Sequence, residues 1–87
     1  MIDEETKDII KKNWARFIQN IQPWILFPIC YQFFILNEED IEIINNEVTT
    51  IRKADKFLKI LISSPFLSVQ ILKEVFENDY MFLIDIL

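Results

Sequence analysis

Apolar residues recur along this chain at intervals of three and four, the period of an α-helix that buries one face. Ile10, Trp14, Phe17 and Ile21 form the first such stripe and predict a helix over about Asp3 to Ile21. Asp3, Glu4 and Glu5 suit its positive N-terminal end, Lys12 and Arg16 lie one turn apart on the opposite face, and Asp8 can pair with Lys12. Pro23 then fits the first turn of a second helix, about Pro23 to Phe34, which is nearly all apolar. Pro28 inside it predicts a bend or break near Ile25 to Pro28. Asn37 reads as the N-cap of a short third helix, about Glu38 to Asn46, with Asp40 at the third helical position and Ile41 and Ile44 turned inward. Thr49 or Thr50 caps a fourth, about Ile51 to Ile62, whose inner face is Ala54, Phe57, Leu58 and Leu61. Ser64 followed by Pro65 predicts the start of a fifth helix that runs to about Phe76, with Leu72, Val75 and Phe76 inward. The stretch "YMFLIDIL" predicts a sixth, with Leu83 in the core. The expectation is therefore all-α, six antiparallel helices and no strand.

Composition sharpens this picture mainly by exclusion. The 87 residues make one domain, and a hydrophobic content of 52% supplies its core generously. There is no glycine, which argues against hairpins, phosphate-cradling loops and dinucleotide motifs, all of which use positive-φ positions. There is no histidine either, so the commonest general base and zinc ligand are both missing. The acidic block at Glu38, Glu39, Asp40 and Glu42 lacks the glycine-containing loop of a calcium site. Nothing resembling a nucleophile converges on it. Neither an enzyme nor a cofactor- or metal-binding protein is expected.

A net charge of −5 disfavours nucleic acid as a partner. The single cysteine, Cys30, permits no intrachain disulfide and reads as a buried, inert thiol. With no secretory signal pattern at the start, a cytoplasmic location is expected. The polar ending expected of a finished helix is missing at Leu87, so residues 1–87 are expected to be one domain of a longer protein. One alternative uses the charge-free run from Phe17 to Leu36, long enough for a bilayer helix, in a small membrane-associated protein. Gln19, Asn20, Gln22, Gln32 and the two prolines interrupt that run, so two core-packed helices account for it better.

Charge is sorted by sign in "EEDIEIINNEVTTIRKADKFLKILI". Glu38, Glu39 and Glu42 point outward on the third helix, while Arg52, Lys56 and Lys59, with Lys53 beside them, share the outer face of the fourth. Most charge runs are only a solvated face. Segregation onto adjoining helices is harder to attribute to solubility, which mixing the signs serves as well.

Six short helices in this order resemble the death-fold superfamily, and within it a caspase recruitment domain. The residues that carry the likeness are "FILNEEDIEIINN", "TTIRKADKFLKIL", "VQILKEVF" and "FLIDIL", at the places of the family's third to sixth helices. Two departures stand out. Trp14 occupies the place of a mid-helix arginine, with Lys11, Lys12 and Arg16 around it, and the second helix carries no acid. The resemblance implies a Greek-key bundle of death-fold type. It also implies a homotypic interaction module that recruits or clusters partners in cell-death or innate-immune signalling. Its partner would be another caspase recruitment domain or a copy of itself. By the same resemblance, a basic face of Arg52, Lys53, Lys56 and Lys59, joined by Lys12 and Arg16, meets an acidic face of Glu38, Glu39, Asp40 and Glu42. Such a head-to-tail contact can propagate into a helical oligomer. Of the aromatics on the second helix, some of Trp24, Phe27, Tyr31 and Phe34 are expected at the surface, because they cannot all face inward.

Overall fold

The computed structural model describes residues 2–86. Among these are seven helices and no strand. α1 spans Glu4–Lys12, α2 Trp14–Asn20, α3 Pro23–Gln32, α4 Glu38–Asn45, α5 Thr50–Ser63, α6 Val69–Phe76 and α7 Met81–Ile84. α5 is central: it packs against α2, α3 and α4, while α6 bridges α3 and α7. The expected inner residues Ala54, Phe57, Leu58, Leu61, Leu72, Phe76 and Leu83 are all buried. Phe17 and Phe76 meet at the centre with ring centroids 6.0 Å apart.

Most helix starts follow from side chains that satisfy the free amides of the first turn. The Asp3 carboxylate accepts from the Thr6 amide at 2.7 Å. Asn37 and Asp40 make a reciprocal capping box at α4, with bonds of 2.8 and 3.0 Å. Thr49 caps α5. α6 begins later than expected. Ser64 and Pro65 do not open a helix; Ser64 instead closes a turn, its hydroxyl accepting from the Phe66 amide, and Ser68 caps α6 through the Ile71 amide. Leu67 is fully buried, and the turn is what lets the chain drive it inward before the helix starts.

Three further expectations are corrected. The first helix is split at Asn13, whose backbone leaves helical geometry (φ −112°, ψ 21°) and whose side-chain amide donates to the Ile9 carbonyl. An asparagine that bonds local backbone competes with the helical ladder in this way. Asp8 and Lys12 do not form an ion pair. Pro28 does not break the second helix: α3 is continuous through it. The carbonyl that Pro28 deprives of a donor belongs to Trp24, and both residues are exposed, so water can serve it. The chain leaves α3 through Phe34, which holds φ 62°. The Phe34 amide donates to the Tyr31 carbonyl and the Ile35 amide to the Cys30 carbonyl, the paired bonds of a Schellman turn.

α7 covers only the middle of the stretch expected to be the sixth helix, and Leu87 lies outside the described residues. Residues 17–36 are divided between α2, a two-residue connection, α3 and its closing turn, so the membrane alternative finds no helix there. Among the described residues, none is long and apolar enough to cross a membrane.

Candidate partner-binding surfaces

The acidic candidates occupy the first two turns of α4. Glu38, Glu39 and Glu42 are exposed, and none has an ion partner among the described residues. Asp40 differs. It is half-buried, and its carboxylate is held by the Asn37 amide, where it also offsets the positive end of the helix. Its role is therefore first to start α4.

The basic candidates are brought together on α5 only in part as free charge. Arg52 is exposed with no side-chain partner among the described residues. Lys53 donates to the Asn45 carbonyl at 3.2 Å, a cation placed at the negative C-terminal end of α4. Lys56 lies 3.8 Å from Glu47 in the α4–α5 connection. Lys59 is 2.8 Å from Asp55. Three of the four α5 cations thus have a partner in their own chain, and two of those partners tie α5 to the end of α4.

Asp55 is the residue that sequence reasoning missed. It accepts from Trp14 Nε1 at 2.7 Å as well as from Lys59, and so joins α2 to α5 at the edge of the basic strip. The Lys59 hydrogen bond, followed by that from Trp14, holds its carboxyl below the usual aspartate range. The available signal was the Asp55–Lys59 spacing of four, which places the two on one helix face.

The cations of the N-terminal helices do not complete one surface. Lys12 is exposed at the end of α1. Arg16 donates to the Phe82 carbonyl at 2.9 Å, which carries it toward α7. Trp14 and Arg16 are two residues apart, roughly 200° around a helix, so with Trp14 against α5 the arginine lies on the other flank. Nor are the two charged faces wholly apart: Asp40 and Lys59 line one open groove of about 440 Å³, together with Phe34 and Phe66.

Uncharged surface is the other notable feature. Trp24, Ile25 and Tyr31 on α3 are exposed, as are Phe34 and Phe66 beside its end. Phe27 is half-buried. Cys30 faces the core, and burial pushes its thiol up to about 12, so it is inert as a nucleophile. Among the described residues no group of three His, Cys, Asp or Glu side chains could hold a metal ion.

Compared with known proteins, residues 7–87 match the model of one family, described as the caspase recruitment domain. No curated protein and no solved structure matches the chain.

Proposed function

Because the chain belongs to the caspase recruitment domain family, whose members are protein-interaction modules of apoptotic and immune signalling, we propose that it pairs head to tail with a second such domain through its charged faces. The second domain is either another copy or part of a signalling partner. The observation that carries this reading is the free charge at two places: Glu38, Glu39 and Glu42 on α4, and Arg52 on α5, none with an intrachain ion partner among the described residues. Lys12, Lys53 and Lys56 flank or extend the basic side. Asp40, Arg16 and, on α5, Lys53, Lys56 and Lys59 contribute less than Arg52, because their own chain already engages them. Complementary charge steers encounter and rejects like-charged partners more than it adds affinity. The contact is heterologous, so it supports an extending helical assembly. In this reading the domain works in the cytoplasm.

Charge reversal tests the proposal better than alanine, since single rim charges contribute little. Arg52→Glu with Lys56→Glu should weaken assembly beyond dimers more than about tenfold, with helical content kept and stability lowered only by the loss of the exposed Lys56–Glu47 pair, about 1 kcal/mol or less. Glu39→Lys with Glu42→Lys should weaken assembly in the same way. Mixing the two variants should restore pairing, because each keeps the surface the other lacks. Assembly of both double variants beyond dimers at wild-type strength in low salt would remove the charged faces from the account.

A further inference from the structure

The outward face of α3 takes no part in the charged contact. At 100° per residue, Trp24, Ile25, Pro28, Tyr31 and Gln32 fall within one arc of about 120°. All five are exposed, while Leu26 and Cys30 on the inner side are buried. The helix carries no charged residue at all. Beyond its C-terminal end the face continues over Phe34, 75% exposed, and Phe66, 59% exposed, whose ring centroids are 6.4 Å apart. Beside this aromatic pair lies a groove of about 340 Å³ lined by Tyr31, Phe34, Leu36, Asn37 and Phe66.

We propose that this face is the interface of a homodimer, in which two copies pack α3 against α3, antiparallel about a two-fold axis at Pro28. Three observations favour a second copy. An aromatic side chain presents about 150–250 Å², so the exposed fractions of Trp24, Ile25, Tyr31, Phe34 and Phe66 leave roughly 500 Å² of apolar surface. That is near the upper end for the largest patch of a monomer, and with a polar rim it approaches the ~800 Å² per partner of a stable interface. Charge is the second observation. Copies with a net charge of −5 repel one another, and a face without charged side chains brings none of that charge into contact. The third is self-complementarity. Antiparallel pairing at Pro28 sets Trp24 of one copy over Gln32 of the other and Ile25 over Tyr31. Trp24 then lies next to the groove at the far end of the opposing helix and fills it.

The head-to-tail contact depends on charge and this one does not, so salt separates them. In about 1 M sodium chloride, where screening reaches only ~3 Å, sedimentation equilibrium should still show a dimer. Trp24→Glu with Tyr31→Glu should weaken it more than about tenfold without changing the circular dichroism spectrum. Arg52→Glu with Lys56→Glu should dimerise like wild type there. A cross-link locates the axis. Helices packed 8–10 Å apart, with Cα atoms about 2.3 Å from each axis, place the two Pro28 Cα atoms roughly 3.5–5.5 Å apart. The upper part of that range, at the wider helix spacings, matches disulfide geometry. Pro28→Cys should therefore give a covalent dimer on mild oxidation, with buried Cys30 silent and Val48→Cys, remote in sequence and 81% exposed, as the negative control. A wild-type monomer at high salt and submillimolar concentration, or a Pro28→Cys variant that cross-links no better than Val48→Cys, overturns the proposal. So does a chain that stays monomeric in buffer but buries Trp24 in neutral phosphatidylcholine vesicles, which would assign the face to lipid.

Discussion

Phe34 sits in the left-handed region at φ 62°, where a side chain beyond glycine costs about 1–2 kcal/mol. The two hydrogen bonds of the turn and the burial of Ile35 and Leu36 immediately after it hold the geometry. The ring itself is mostly in water and touches chiefly Phe66. Phe34→Gly should therefore raise the unfolding free energy of the monomer by up to about 1 kcal/mol, part of the relief being offset by the freer unfolded chain. Urea denaturation at low protein concentration measures this, and a clear loss of stability would show that the Phe34–Phe66 contact outweighs the strain. The same substitution should loosen the α3 self-contact, since Phe34 lines its groove. Composition does not reveal this turn, for a definite reason. The absence of glycine removes the cheapest occupant of a left-handed position, but the need to close α3 and turn Ile35 and Leu36 inward remains.

Between elements, the pairing of Trp14 and Lys59 with Asp55 gives α2 and α5 a polar link whose strength depends on pH. The Asp55 carboxyl is depressed in the folded state, chiefly by Lys59 and then by Trp14, so its contribution is present above the ordinary aspartate value of about 3.9. It is lost as pH falls through the lower folded value. Asp3, lowered by the Thr6 amide it caps, acts in the same direction. Asp55→Asn keeps an acceptor for Trp14 but cannot titrate, so its melting temperature should fall less steeply with acid below about pH 4 than that of wild type. Identical slopes would mean that Asp55 has the same acidity folded and unfolded. Elements were legible in sequence wherever a cap and a stripe agreed, as at Asn37 and Thr49. They were misjudged where two starts were equally lawful: Ser64 and Ser68 lie one turn apart, and only the burial of Leu67 chooses between them. The split at Asn13 left no trace in the spacing of Ile10, Trp14 and Phe17, because no residue was inserted and the stripe kept its count.

Across the whole molecule, the inner faces of the central helices were readable because helical period alone decides which side of α5 or α6 is apolar. The sorting of charge was readable for the same reason. What period cannot supply is the far end of each contact. Lys53 on the Asn45 carbonyl, Lys56 beside Glu47 and Arg16 on the Phe82 carbonyl all depend on how helices sit against one another. The exposed aromatics of α3 were anticipated only as a surplus, since a helix apolar all round does not reveal which side is left uncovered. One of the long-range links, the Gln22 amide donating to the Tyr80 hydroxyl at 2.9 Å, also bears on the order of events in time. It joins residues 58 positions apart, and one of them only introduces the four-residue α7. So short a helix gains little until the chain it rests on is in place, so this bond is expected to form after the folding barrier is crossed. Tyr80→Phe, removing roughly 1 kcal/mol, should therefore speed unfolding about fivefold in stopped-flow experiments and leave the refolding rate where it was. Slower refolding with an unchanged unfolding rate would place the joining of Gln22 and Tyr80 before the barrier. Otherwise that bond acts as a latch, setting how long the domain stays folded and having no part in how quickly it gets there.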